Sequence, residues 1–183
     1  MHKMENKLKK IQVGQIIIWS IITLGIYPIF WANKRKTELE NLETEEIIKK
    51  EIIYGYSLTW IIGLIIYALL LLGKYPEYTN TLKIAGLIAI ILSWALLIMV
   101  CFEYKKILNT KLRHEGNTLK LSEFFTFIFN IFYLQYEINR MTKRREYEKR
   151  KGPLACAIVL FGIVLPLVIE VTLIEVFTDI KLL

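Results

Sequence analysis

Five long apolar segments constrain this chain more than any other feature. They run over about residues 13–32, 52–73, 82–104, 122–141 and 153–177. A helix that crosses the hydrocarbon core of a bilayer needs about 20 apolar residues, and a backbone group inside lipid must be hydrogen-bonded within its own element. The sequence therefore predicts an all-α, polytopic membrane protein whose residues 1–183 form a single membrane domain.

Two of the five segments carry residues that disfavour a straight spanning helix. Gly25 and Pro28 lie within the first segment, and both residue types weaken or break a helix. Asn130 lies at the centre of the fourth segment and is followed by further polar residues, which are costly at that depth in lipid. Each segment could therefore be a helix–break–helix hairpin that enters the membrane and returns to the same side.

The positions of the 24 Lys and Arg residues distinguish these topologies. If all five segments span and the N-terminus is inside, 13 of these residues lie inside and 11 outside. The split becomes 15 to 9 if only the first segment re-enters, and 21 to 3 if the first and fourth both do. Because inner loops are enriched in Lys and Arg, we expect three spanning helices plus two re-entrant or interfacial helical hairpins. Five spanning helices are the alternative.

The expected boundaries follow from this topology. The first hairpin occupies about residues 11–50 and the second about 119–150, while helices over about 52–73, 82–104 and 153–177 span. The N-terminus is expected in the cytoplasm and the C-terminus outside. The charged stretch from Lys34 to Glu51 is expected to continue the first hairpin as one solvated helix with local ion pairs.

The two hairpin segments share a short pattern. Tyr27 and Asn33 recur as Tyr133 and Asn139, at an offset of 106 residues. Such a pattern predicts an internal repeat of the kind that marks pseudo-symmetric halves in membrane proteins, with a chance match as the alternative.

The same residues carry a family resemblance. The run Ile21-Ile22-Thr23-Leu24-Gly25-Ile26-Tyr27-Pro28-Ile29-Phe30-Trp31 resembles the early motif of the DUF4234 family of uncharacterised prokaryotic membrane proteins. The run Tyr133-Leu134-Gln135-Tyr136-Glu137-Ile138-Asn139 resembles a later motif of that family in degenerate form. The resemblance covers about residues 13–36 and 122–143. It implies a membrane location and carries over no activity. Together with the apolar segments, it leads us to expect a multi-pass protein in the plasma membrane of a prokaryote.

Polar residues inside the apolar segments are the candidate functional residues. They either line a hydrated groove at the hairpin midpoints or bond the broken backbone and face interfacial water. The set is Asn33, Asn130, Gln135, Glu137, Asn139 and Glu170. For Glu170 the alternative is a side chain that reaches out to the outer interface. A second set is expected to contact anionic lipid head groups of the inner leaflet: Lys143, Arg144, Arg145, Lys149, Arg150 and Lys151.

The sequence lacks the common motifs of enzymes and of nucleic-acid-binding proteins. The sequence contains no P-loop, dinucleotide fingerprint, nucleophile elbow or zinc-protease motif, and no base-reading motif accompanies its basic residues. We expect no catalysis, no cofactor, no metal and no nucleic acid. The expected partners are membrane lipids, with a membrane-protein partner or a second copy of the chain as further candidates.

Two functions stay open at this point. One is a non-catalytic protein that acts through lipid or partner-protein contacts at the cytoplasmic face. The other is a small conduit, such as a transporter, a scramblase or an insertase-like protein, with a polar groove at the hairpin midpoints.

Overall fold

The computed structural model describes residues 8–42, 44, 46, 48–73, 76–116 and 120–142, and this part of the chain is helical, without β-strands. The helices are α1 (Val13–Ile22), α2 (Tyr27–Glu40), α3 (Lys50–Leu72), α4 (Thr79–His114) and α5 (Glu123–Met141), and a 3-10 turn over Pro76–Tyr78 precedes α4. The predicted all-α class is confirmed for these residues. The predicted helix over 153–177 lies outside them.

Helices α3 and α4 form an antiparallel pair, and both are long and apolar enough to cross a membrane. Small residues let the two helices approach closely: Gly63 faces Ala89, and Gly86 faces Ile66. Gly73 ends α3 in the left-handed conformation, with a φ of 61°, which glycine adopts without a steric penalty. The chain therefore reverses direction within a few residues and returns as α4.

Helix α4 is longer than the sequence predicts, because it continues beyond Tyr104 to His114. Its 36 residues correspond to about 54 Å, against a hydrocarbon thickness of about 30 Å. The extension carries Lys and Arg residues, so a prediction from hydropathy alone places the end of the helix too early. It stays helical because Ile107, Leu108 and Leu112 are buried in the core of the protein.

Helix α2 ends at Glu40, so the prediction of one continuous helix from Lys34 to Glu51 is wrong. The predicted type of local ion pair does occur, between Lys36 and Glu40 at 3.5 Å. The chain leaves the helix because Leu42 and Ile48, which lie in the connection to α3, are both buried in the core.

The first apolar segment is broken between α1 and α2, as the sequence predicts. Leu24 and Gly25 have positive φ values of 49° and 81°. The hydroxyl of Thr23 accepts a hydrogen bond from the backbone N–H of Tyr27 at 2.9 Å, which satisfies one free donor at the start of α2. The far ends of α1 and α2 meet again, because the guanidinium of Arg35 donates to the backbone carbonyl of Lys9 at 2.6 Å. Residues 9–35 therefore form a helical hairpin, and from here on the first hairpin means these residues rather than the expected range 11–50.

The fourth apolar segment, which forms α5, is broken at Asn130, whose φ of 32° and ψ of −118° are not helical. The hydroxyl of Tyr133 accepts from the backbone N–H of Ser122 at 2.9 Å. A straight helix would separate these residues by about 16 Å along its axis, further than a tyrosine side chain reaches. Residues 122–141 therefore fold back at Asn130 as the second hairpin. The positive-φ residues Leu24 and Asn130 are separated by 106 residues, the same offset as Tyr27 and Tyr133.

The core lies where the two hairpins meet the C-terminal half of α4. Its fully buried members include Trp31, Leu39, Tyr104, Leu108, Leu134 and Ile138. Large apolar side chains of α3 and of the first half of α4 are exposed instead, among them Ile61, Ile65, Leu87, Ile88 and Ile91. In the described part of the molecule, the end that holds the hairpins is therefore well packed. The opposite end, formed by α3 and the first half of α4, exposes most of its large apolar side chains.

The turn of the first hairpin provides a stability test. A Cβ at Gly25 would overlap the indole ring of Trp60, and an L-residue at this positive φ costs about 1–2 kcal/mol in addition. Gly25→Ala should therefore lower the free energy of unfolding in detergent by more than Gly116→Ala. Gly116 is the matched control, because it has a φ of 73° but open space within 4 Å of the position that a Cβ would take.

A double-mutant cycle separates steric overlap from backbone strain. Gly25→Ala combined with Trp60→Ala should lose less stability than the sum of the two single variants, because the smaller side chain removes the overlap. Additive losses would contradict a direct contact between the turn and Trp60.

Candidate functional site between the two hairpins

A buried arginine lies at the centre of the contact between the two hairpins. Arg35 on α2 is fully buried. Its Nε and Nη2 donate to the side-chain oxygen of Gln135 on α5, at 3.0 and 2.8 Å. Its Nη1 pairs with the carboxylate of Glu38 one turn later on the same helix. With the bond to the carbonyl of Lys9, each of the three guanidinium nitrogens has an acceptor.

Gln135 links α2 to α5. Its Oε1 also accepts from the indole N–H of Trp31 at 2.8 Å, and its Nε2 donates to Oδ1 of Asn139 at 2.8 Å. Gln135 and Trp31 are both buried. A buried amide satisfied on both sides is stable, whereas loss of one partner leaves its other partners unpaired.

Asn139 binds the chain that leads into α1. Its Oδ1 accepts from the backbone N–H of Ile11 at 3.2 Å, and its Nδ2 donates to the backbone carbonyl of the same residue at 2.6 Å. The carboxamide thus satisfies both backbone groups of one residue. The interhairpin network, as we name it, consists of the side chains of Trp31, Arg35, Glu38, Gln135 and Asn139 and the backbone of Lys9 and Ile11.

Tyr104 attaches this network to α4. Its hydroxyl donates to the backbone carbonyl of Ala32 at 2.6 Å, and the bond is buried. Its ring lies against Trp31, with 6.0 Å between ring centroids and 47° between ring planes. The two hairpins and the long helix α4 are therefore joined through neighbouring residues of α2.

The electrostatics of the network favour a structural role over a catalytic or metal-binding one. Burial lowers the pKa of the Arg35 guanidinium, and the adjacent carboxylate of Glu38 acts in the opposite direction. Arginine remains protonated at neutral pH, so the pair is ionic. Among the described residues, no three His, Cys, Asp or Glu side chains lie close enough together to hold a metal ion.

The structure brings together only some of the polar residues that the sequence singles out. Gln135 and Asn139 belong to the network. Glu137 instead pairs with Arg140 at 2.9 Å. Asn130 lies at the break, where its Oδ1 accepts from the N–H of Ile131 at 2.6 Å.

Asn33 lies apart from its counterpart in the second hairpin. It is exposed, and its Nδ2 donates to the carbonyl of Ile29 on its own helix at 2.9 Å. Glu170 and the basic set Lys143, Arg144, Arg145, Lys149, Arg150 and Lys151 lie outside the described residues.

Four central residues were not among the candidates from sequence: Trp31, Arg35, Glu38 and Tyr104. Arg35 stands between Lys34 and Lys36, and such a run is typical of a solvated surface. The available signal was spacing, because Trp31 and Arg35 are four residues apart and so share a helix face. A tryptophan on that face indicates that the arginine points inward.

Removal of the network's acceptors should destabilise the fold. Gln135→Leu leaves the indole N–H of Trp31 and the Nε of Arg35 unpaired, at about 1–3 kcal/mol for each buried group. Asn139→Leu should also lose roughly 1–3 kcal/mol, because both backbone groups of Ile11 lose their partner. Denaturant titration in mild detergent measures both changes.

Asn33→Leu is the matched control for Asn139→Leu, since the two asparagines occupy equivalent places in the sequence pattern. Its effect should stay within about 0.5 kcal/mol, as is usual for an exposed position. Equal losses at Asn33 and Asn139 would show that the network does not hold the hairpins together.

Comparison with known proteins identifies the family. The family described as "Domain of unknown function (DUF4234)" matches residues 12–115. No curated protein and no solved structure gives a match. The matched region contains the first motif, over residues 21–31, and the helices α1 to α4, whereas the second hairpin lies beyond it. Because the match covers more than half of the chain, the chain belongs to the DUF4234 family.

Proposed function

We propose that this protein is a multi-pass integral membrane protein that acts without catalysis, through contacts of its two hairpins with the cytoplasmic leaflet. In this proposal α3 and α4 cross the bilayer, and each hairpin enters from the cytoplasmic side and returns to it. The observation that carries the proposal is the pair of helix breaks. Large apolar residues are exposed beside both breaks, whereas Arg35, Gln135 and Asn139 form hydrogen bonds within the protein.

The depth of the first hairpin supports this arrangement. Gly25, at its turn, packs against the indole ring of Trp60 on α3. Trp60 lies ten residues after Lys50, the first residue of α3, so the contact is about 15 Å along that helix. The hydrocarbon core is about 30 Å thick. The turn would therefore reach the middle of the bilayer, and α1, with ten residues, is too short to cross alone.

A second contact indicates where the hairpin emerges. Ala32 on α2 accepts from Tyr104 on α4, and Tyr104 follows Glu103, the first charged residue after the uncharged run 84–102. This run of 19 residues is about 28 Å long in a helix, which matches the hydrocarbon thickness. Ala32 would thus lie near the cytoplasmic interface, with Arg35 just outside the hydrocarbon.

Large apolar residues are exposed near both breaks, which fits contact with lipid. Ile22, Leu24 and Phe30 are exposed around the first break, and Phe124 and Phe127 precede the second. Isolated exposed apolar residues are common on soluble surfaces, but a continuous patch indicates a lipid or protein contact. The excess of Lys and Arg in the inner loops of this topology favours the cytoplasmic side.

The hydrogen bonding of the candidate polar residues favours this proposal over a conduit. A hydrated groove needs polar groups that face water or a substrate, whereas Gln135 and Asn139 use their amides on other parts of the same chain. The conduit is therefore the alternative function, and flux measurements distinguish it from lipid contact.

Cysteine accessibility tests the topology. In a Cys101→Ala, Cys156→Ala background, we introduce single cysteines at Asn41, Tyr78 and Arg113, all exposed in the structure. An impermeant thiol reagent applied to intact cells should label Tyr78→Cys alone. Asn41→Cys and Arg113→Cys should react only after the membrane is opened, since both lie on the cytoplasmic side. The opposite pattern would mean that all five segments span.

Flux measurements test the alternative function. Liposomes that contain the purified protein should leak ions, and transfer fluorescent lipid between leaflets, no faster than liposomes without protein. If flux does appear, Gln135→Leu and Asn33→Leu distinguish a groove from a leak: a groove lined by the network loses flux only in the first variant. Such a result would replace the non-catalytic lipid-contact function with a conduit.

A further inference from the structure

We propose that the protein is a wedge that is wider in the cytoplasmic leaflet, and that it therefore prefers membranes in which this leaflet is the convex one. This inference rests on the proposed function, because it requires both hairpins to lie in the cytoplasmic leaflet. It goes beyond that function because it specifies which direction of membrane curvature the protein prefers. The occupant of the exposed hairpin surfaces is then the acyl chains of that leaflet.

The asymmetry follows from the lengths of the helices. Helices α3 and α4 cross both leaflets, so they contribute equally to each. The first hairpin turns at Gly25, about half-way through the bilayer, so α1 and the start of α2 occupy one leaflet only. The second hairpin starts beside the charged end of α4, where Glu123 pairs with Lys105 at 3.0 Å.

The second hairpin adds to the same side of the membrane. Its first arm has seven residues before Asn130, which corresponds to about 10 Å. It cannot reach the outer leaflet from the level of Lys105, whether it points inward or lies along the interface. A spanning helix over 153–177, as the sequence predicts, would add equally to both leaflets and leave the difference unchanged.

A wedge must also be rigid, because flexible hairpins would move out of the leaflet instead of bending the membrane. The interhairpin network ties the two hairpins to each other through Arg35, Gln135 and Asn139. The pairs Tyr104–Ala32 and Lys105–Glu123 tie them to α4, and Gly25–Trp60 ties the first turn to α3. The hairpins are therefore joined to the spanning pair at several points.

Insertion into one leaflet has a known physical consequence. Helices that add volume to a single leaflet bind in a curvature-dependent manner. Each helix is about 10 Å across, so the hairpin arms spread the cytoplasmic leaflet while the outer leaflet accommodates only the spanning helices. Bending that makes the cytoplasmic leaflet convex relieves this mismatch.

Sorting between vesicles tests the sign of the preference. The full chain with Asn41→Cys, in the Cys101→Ala, Cys156→Ala background, is reconstituted into small and large vesicles of the same lipid composition. An impermeant reagent then labels molecules whose cytoplasmic face points outward. The labelled fraction should be higher in small vesicles, where the outward leaflet is strongly convex. An equal or lower fraction in small vesicles overturns the wedge.

Tyr78→Cys provides the matched control, because it reports molecules of the opposite orientation. Its labelled fraction should fall in small vesicles as that of Asn41→Cys rises. The ratio of the two labelled fractions does not depend on how well the reagent reaches each vesicle size. If the ratio of Asn41→Cys to Tyr78→Cys labelling does not rise in small vesicles, the preference for convex cytoplasmic leaflets is refuted.

A spin label at Ile22→Cys separates failure of the wedge from failure of the proposed function. In large vesicles its nitroxide should be relaxed by oxygen rather than by a water-soluble nickel complex, whereas one at Lys49→Cys should show the reverse. If Ile22 is in lipid but orientation does not follow vesicle size, only the wedge is wrong. If Ile22 is in water, the hairpin topology itself fails.

Discussion

The buried guanidinium of Arg35 is the constraint on which the packing of the two hairpins depends. An uncompensated charge in a protein interior costs several kcal/mol, so every element around Arg35 must present an acceptor. Glu38 supplies one from α2, Gln135 another from α5, and the backbone of Lys9 a third from the segment before α1. Three parts of the chain that are distant in sequence are thereby held together, and the ends of both hairpins meet at one place.

The breaks in the two hairpins explain why so much apolar surface remains exposed around them. If residues 13–32 formed one straight helix, Trp31 would lie far from Gln135. The turn at Leu24 and Gly25 instead returns α2 to the level of the network. The turn itself needs glycine, because the indole of Trp60 occupies the space of a side chain. The surface around both breaks carries large apolar side chains, and this combination of a hydrogen-bonded network inside and apolar residues outside favours a lipid environment.

Much of this architecture follows from the sequence, including the all-α class, the two long apolar helices, the breaks near Gly25 and Asn130 and the family. The ends of the elements were less predictable. Helix α4 runs past its last apolar segment, and α2 stops at Glu40 rather than near Glu51. In both places burial of a few apolar residues in the shared core decides where the helix ends, and hydropathy along one segment cannot show it.

The sequence by itself determined which segments are apolar, how long they are and where a helix must break, because these properties depend on residues close together in the chain. Tertiary structure alone decided which polar residues work together. Asn33 and Asn139 occupy equivalent places in the repeated pattern, yet one faces outward and the other binds Ile11. Arg35 looks like a surface residue until Gln135, a hundred residues later, supplies its acceptor. Hydrogen bonds between distant segments depend on how helices pack, and no local pattern records that packing.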